Sequence, residues 1–295
     1  MSARRIDQPT ARQVRLGSIL RKLREDGRRG TQDAAARSLG WVPAKLNRIE
    51  TGRVGVSERD LNQLFSLYGV TDEGLRTYVL DLRARGNVRG WDSDIRSVVS
   101  AVYADYIGYE SDAVEAYNAE TNLIPGLLQT HAYAGAVLDM HLPDISEEER
   151  CERLAIRDKR QEVFKRPNPL IFWGVVSESA FEHVVGGPDV MVEQLEHLLN
   201  LSKEYPHTVN LYVLPKQSPW HAVMCGSFMI LSFQRSWEPD IVYLDGLTSN
   251  RFLEEEWEVA TYSRLFRRLT MEGSYRGPKS LAIIQYYLNE HRKGR

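Results

Sequence analysis

Apolar residues recur at helical spacing through the first eighty positions of the chain. Leu16, Ile19, Leu20 and Leu23 line one side of a first helix, whose other side carries Arg15, Arg21, Lys22 and Arg24. Gly27 and Gly30 break it. Thr31 then reads as an N-cap with Asp33 in the positive first turn, and Gly40 ends that short helix. Between them, Ala34, Ala35 and Ala36 have side chains small enough for a neighbouring helix to come close. A third helix starts with Pro43 at its favoured first position and runs to about Glu50. Leu46 and Ile49 point inward, and Lys45, Asn47 and Arg48 point out. Ser57-Glu58-Arg59-Asp60 has capping-box spacing ahead of Leu61, Leu64 and Leu67. Thr71-Asp72-Glu73 opens a fifth helix with Leu75, Tyr78, Val79 and Leu82 inward.

The polar, glycine-containing stretch 84–90 reads as a linker, between a helical domain over 12–83 and a second domain over 91–295. In the second domain the pattern predicts helices near 110–118, 129–140, 146–164, 189–203, 254–270 and 278–291. Strand-like runs are Leu170 to Val176, Thr208 to Leu214, Ser227 to Phe233 and Ile241 to Leu244. Their order predicts an α+β domain built on a largely antiparallel sheet. The fold class is thus multidomain, an all-α five-helix domain followed by an α+β domain.

Charge sharpens this division. The formal net charge of the 295 residues is −2, but residues 1–90 carry +8 and the remainder −10. A basic first third on an acidic remainder is the footprint of a nucleic-acid-contacting domain joined to one that does other work. Two cysteines, Cys151 and Cys225, are too few for a disulfide framework. The start MSARRIDQPTARQVR lacks a signal peptide's apolar core, and no apolar run spans a bilayer, so a cytoplasmic location is expected, on the nucleoid when DNA is bound. A phosphate-binding glycine loop, HExxH, GxSxG and paired CxxC motifs are all missing, so neither an enzyme, a cofactor nor a metal site is expected. His221 and Cys225, four apart, are the nearest approach to a metal or thiol pair, and two ligands do not make a metal site.

Two short helices joined by a glycine turn define a helix-turn-helix. The stretch from Thr31-Gln32 to Leu39-Gly40, with Leu46-Asn47-Arg48-Ile49-Glu50-Thr51-Gly52, resembles the signature of the Cro/phage-repressor-like family. That resemblance covers about residues 12–83 and implies double-stranded DNA as a partner. It places Gln32 on a phosphate, and Ala44, Lys45, Asn47 and Arg48 on the groove-facing side of the recognition helix. Arg48 has the geometry for guanine O6 and N7, and Arg53 suits a phosphate. Val42 and Pro43 depart from the family, because neither offers the polar side chain usual there. The arm with Arg4, Arg5 and Arg12 either tracks the DNA backbone or stays disordered.

The string Leu123-Ile124-Pro125-Gly126-Leu127-Leu128-Gln129-Thr130 resembles the "IPGLLQT" signature of a domain that follows the helix-turn-helix in WhiJ-like, antitoxin-like actinobacterial regulators. Further matches are Arg157 through Gln161, Arg166-Pro167, Val185 through Pro188 and Val242 through Gly246. Pro125-Gly126 should bend the chain between a helix ending near Asn118 and one beginning at Gln129 or Thr130. Trp220 through Gly226 departs from relatives by its bulk.

Together these imply a sequence-specific transcriptional regulator, expected to be a repressor and a homodimer, whose second domain takes a small cognate protein or a small-molecule ligand. One alternative is an antitoxin-like protein that neutralises its small partner and regulates itself. A lesser one is an enzyme with a DNA-binding head.

Overall fold

The structure is a computed structural model that describes residues 11–27, 30–86, 95, 98–223, 226–234, 239–246 and 249–294. Arg4, Arg5, Met224, Cys225 and positions 87–90 of the expected linker lie outside them. The chain divides into two compact units, Met1–Gly108 and Tyr109–Arg295.

The first unit includes the helices α1 (Ala11–Asp26), α2 (Gln32–Ser38), α3 (Pro43–Glu50), α4 (Glu58–Tyr68) and α5 (Glu73–Gly86). Local chemistry sets their ends. Thr31 and Ser57 accept hydrogen bonds from Ala34 N and Asp60 N at the starts of α2 and α4, and Gly69 closes α4 in the left-handed conformation. Gly40, with φ of 70°, turns the chain between α2 and α3. Leu16, Ile19, Leu20, Leu46, Ile49, Leu61, Leu64 and Val79 form a buried centre. Arg15 and Arg24, which helical periodicity places on the polar side of α1, are buried as well.

α1 packs on the end of α3 at backbone distance. A Cβ on Gly17 would lie 2.5 Å from the Glu50 carbonyl oxygen and 2.6 Å from that of Ile49. Gly52, at φ of 70°, leaves the same kind of gap against Val14, where a Cβ would meet the backbone nitrogen at 2.7 Å. Glycine is needed at both places because backbone, unlike a side chain, has nowhere to go.

The second unit is a seven-stranded mixed sheet with helices. It follows α6 (Ala101–Asp112), which crosses the division between the units, and comprises β1 (Glu115–Glu120), α7 (His131–His141), α8 (Glu147–Arg160), β2 (Ile171–Ser177), α9 (Ser179–Glu182) and α10 (Pro188–Glu204). β3 (Val209–Leu214), β4 (Phe228–Ser232), β5 (Ile241–Leu244), β6 (Arg251–Leu253), α11 (Glu256–Arg268), β7 (Tyr275–Arg276) and α12 (Pro278–Lys293) complete it. The strand order is β6-β5-β4-β1-β2-β3-β7. The four ladders β6–β5, β5–β4, β4–β1 and β3–β7 are antiparallel, while β1, β2 and β3 run parallel at the centre. Each parallel step is bridged by helices, α7 and α8 for the first and α9 and α10 for the second, because a parallel pair cannot close through a tight turn.

Residues 110–118 read as a helix, yet the helix ends at Asp112 and residues 115–120 form a strand in the middle of the sheet. Glu, Ala and Asn give this strand little β-propensity of its own, and pairing on both edges, with β2 and β4, overrides it. The Pro125-Gly126 bend therefore joins a strand, not a helix, to α7.

Side chains alternate across β1. Ala119 faces a core with Val175, Phe228, Ile230, Val242 and Phe266, on the side where α11 lies. Asn118 and Glu120 face the opposite side. There Glu110 and Arg160 form a buried, two-pronged ion pair, Nε to Oε1 at 2.7 Å and Nη2 to Oε2 at 2.8 Å, tying α6 to α8.

Gly17→Ala should lower the thermal midpoint of the first unit by roughly 10 °C. The overpacking costs about 2–3 kcal/mol, more than the ~1 kcal/mol alanine gains over glycine inside a helix. An unchanged or raised midpoint in a melting experiment would refute the close backbone contact.

Candidate functional site

The outer surface of the α2–α3 pair is a side-chain network anchored in the interior. Glu50, the last residue of α3, is buried and receives Arg24 from α1 through two bonds, Nε to Oε1 at 2.8 Å and Nη2 to Oε2 at 3.0 Å. Gln32, the first residue of α2, donates its Nε2 to Glu50 Oε2 at 2.8 Å. Its Oε1 accepts Asn47 Nδ2 from the outer side of α3 at 3.2 Å. The three helices are therefore cross-linked by one buried carboxylate. The bond to Glu50 raises the Arg24 pKa, and burial, aided by Glu50, raises that of Tyr68.

The six residues singled out from the sequence take different places. Gln32 and Asn47 are bonded to one another, at the mouth of a cleft shared with Arg21 and Thr51. Arg48 is exposed, and its Nε donates to Ala44 O at 3.3 Å. Ala44 and Arg53 are exposed. Lys45 is held back: its Nζ lies 3.0 Å from Asp60 and 3.8 Å from the centre of the Trp41 ring. Val42 makes no side-chain cap and is 66% exposed, so α3 begins with the uncapped apolar face Val42-Pro43-Ala44. Arg24, Glu50 and Asp60 were not singled out, since their partners lie 15 or 26 positions away in sequence.

In the second unit, the residues that carry the IPGLLQT resemblance are stitched together. Gly126–Leu128 is a single 3₁₀ turn. Gln129 Nε2 donates to Ile124 O at 2.8 Å, Gln194 Nε2 to Leu128 O at 2.7 Å, and Thr130 N to Gln194 Oε1 at 2.7 Å. Arg157 Nη1 donates to Gln129 Oε1 at 2.9 Å, and Gln161 Nε2 to Gln129 O at 2.6 Å. Most of the signature is thus framework for the connection leaving β1.

Beside this framework lies a second polar group. Glu120, at the carboxyl end of β1, accepts Asn118 Nδ2 at 3.2 Å and is bonded to Ser227. Burial pushes its carboxyl up to about 7, against the pull of those two hydrogen bonds, and the Asp245 charge adds to the rise. Asp245 follows β5 and is solvent-exposed at the rim. It accepts Asn250 Nδ2 at 2.7 Å, in the amide orientation that also lets Asn250 accept from Tyr243 Oη at 2.9 Å. His221, considered above with Cys225, has its Nε2 2.9 Å from Pro215 O. Trp220 is half-buried and packs on the apolar core of the α11 side.

These two arrangements are a helix-turn-helix unit and a mixed α/β unit with a polar group at its strand ends. Residues 15–77 match a family described as "Helix-turn-helix domain". Residues 103–282 match "Domain of unknown function (DUF5753)", well over half of the chain, and the chain belongs to that family. Comparison with curated proteins and with solved structures returned no match. No helix among the described residues is long and apolar enough to cross a membrane.

Glu50→Ala should strand the buried Arg24 charge and cost the first unit about 3–5 kcal/mol, read by urea unfolding; a loss below 1 kcal/mol would show that the pair is not an anchor. A carboxyl whose folded pKa is raised loses stability as pH rises from its unfolded value toward its folded one. The second unit should therefore be destabilised through Glu120 between pH 4.5 and about 7. Glu120→Gln should remove up to about 3 kcal/mol of that loss at pH 8 and little at pH 4. Parallel pH profiles of wild type and variant would argue against a perturbed Glu120.

Proposed function

We propose that the chain is a sequence-specific DNA-binding regulator of transcription, acting as a repressor, with α3 as its recognition helix. The observation that carries this is the Arg24–Glu50–Gln32–Asn47 network. It holds α2 against α3 from inside the fold and leaves Ala44, Asn47 and Arg48 on the outer face. A rigidly supported short helix with an exposed guanidinium suits major-groove entry, and Arg48 would donate two bonds to a guanine edge. Gln32 and Arg53 would contact phosphates, consistent with the +8 balance of residues 1–90. Lys45 plays a smaller part than its position suggests, because Asp60 already neutralises it.

One short helix reads few bases, so the chain binds as a dimer on half-sites about one helical turn apart. The second unit is the input, taking a small protein or a small ligand, and the reading assigns the chain no catalysis.

Selection of bound duplexes from a random pool should return an inverted repeat, with binding that weakens steeply as salt rises. Arg48→Ala should lose about 1–3 kcal/mol of base discrimination at one position per half-site while the salt slope stays. Recovery of no motif, with salt-sensitive binding retained, would mean that the basic unit holds phosphates without reading bases.

A further inference from the structure

The start of α3 presents an apolar surface on a face that is otherwise polar. Val42, Pro43 and Ala44 are consecutive and all exposed, Val42 at 66%. Asn47 and Arg48 are exposed further along the same helix. Arg48 leans back over the first turn, its Nε donating to Ala44 O at 3.3 Å, so a cation and the apolar residues share one end of α3. Residues 1–90 around them carry +8. A basic surroundings with an exposed guanidinium beside the patch points to duplex DNA, rather than an apolar protein face, as what covers it.

The fold holds Val42 out. Gly40 N donates to Arg37 O at 3.0 Å and Trp41 N to Ala36 O at 2.9 Å, which closes the end of α2, and Gly40 supplies the positive φ of the turn. Trp41 is half-buried, and Lys45 Nζ lies 3.8 Å from its ring centre and 3.0 Å from Asp60. Val42 between them is extended, at φ of −73° and ψ of 138°, in the N-cap position. A Ser, Thr, Asp or Asn there would accept a hydrogen bond from the first turn. Valine at this position neither caps the helix nor fills the core.

We propose that Val42, flanked by Pro43 and Ala44, is a specificity-determining contact for the 5-methyl group of a thymine in the major groove. The inference deepens the reading of α3 as a recognition helix and rests on it. Thymine alone of the four bases carries a methyl group on its major-groove edge. Adenine, guanine and cytosine present there N7, N6, O6 or N4 groups, which an apolar side chain strips of water without offering a partner. Val42 and Pro43 have no side-chain donor or acceptor, so they favour thymine both by the contact and by that penalty on the alternatives. Arg48 supplies the polar half of the readout, at a guanine. Six residues of helix span about 9 Å and one base pair about 3.4 Å, so the thymine lies within about three base pairs of that guanine.

The test uses the full chain and the duplex recovered from the random pool. Each thymine of one half-site is replaced in turn by deoxyuridine, which removes the methyl group and keeps the hydrogen-bonding edge. Affinity is read by fluorescence anisotropy at fixed salt. One replacement near the guanine should weaken binding about fourfold, the effect of one buried methyl group. In Val42→Ala the same replacement should change affinity less than twofold, with the salt slope unchanged. Circular dichroism checks that the variant is folded. Val42→Ser, which removes both methyl groups and adds a cap to α3, should lose the uracil effect as well and serves if alanine loosens the helix start.

A recovered motif in which no thymine responds to uracil overturns the inference and spares the base-reading role of α3. So does a uracil effect that survives in the Val42 variants, or an affinity loss in them that is equal on thymine and uracil duplexes, the mark of a structural role. A pool that returns no motif overturns both readings together.

Discussion

Arg24 and Glu50 meet inside the first unit, and the geometry of its outer surface depends on them. Two charged groups taken out of water are worth keeping only when their hydrogen bonds are nearly all made. Glu50 meets that condition by receiving Arg24 from α1 and Gln32 from α2 at once. A single carboxylate at the end of α3 consequently sets that helix against two others. Asn47 then reaches the surface already oriented, through Gln32. The glycine contacts act in the same direction, since Gly17 and Gly52 let the backbone of α1 approach the end of α3 so closely that neither helix can slide.

The second unit uses the same device once for support and then leaves it incomplete. Glu110 and Arg160 close a buried pair between α6 and α8, near the 3₁₀ turn where Gly126 sits 3.6 Å from the Arg160 guanidinium when given a Cβ. Around that pair the connection leaving β1 is laced by Gln129, Gln194 and Gln161, neutral groups that carry no pH dependence. Arg157 joins it through Gln129, while Glu120 and Asp245 stand outside this lacing. A parallel centre with crossovers on its flanks brings strand ends together at one edge, which is where open sheets of this kind most often receive ligands.

The two units also differ in how they present charge. The basic first unit shows cations at exposed positions, as at Arg48 on α3 and Arg53 just beyond it, where charge carries little desolvation cost. In the second unit Glu110 is buried and Glu120 half-buried, where charge is costly. Val42-Pro43-Ala44 narrows the polar vocabulary of α3, which leaves Asn47 and Arg48 as its exposed polar side chains.

Much of the first unit was legible in the linear order of residues, because its determinants are local. Caps at Thr31 and Ser57, Pro43 at a helix start and Gly40 in the turn act within a few positions of themselves. The exposed Arg48 follows from the same periodicity. Arg24 did not, because periodicity assigns a face and cannot see a carboxylate 26 residues away. Lys45 was read as free for the same reason, with Asp60 15 positions on. In the second unit, residues 115–120 carry a helical composition, and only pairing with β2 and β4 made them the central strand. That reversal put Asn118 and Glu120 on one face beside Asp245, more than a hundred residues distant. Sequence alone determined the helix-turn-helix and the side chains available to it. Tertiary structure decided which charges are spent and which remain, since that depends on contacts formed only when distant segments fold together.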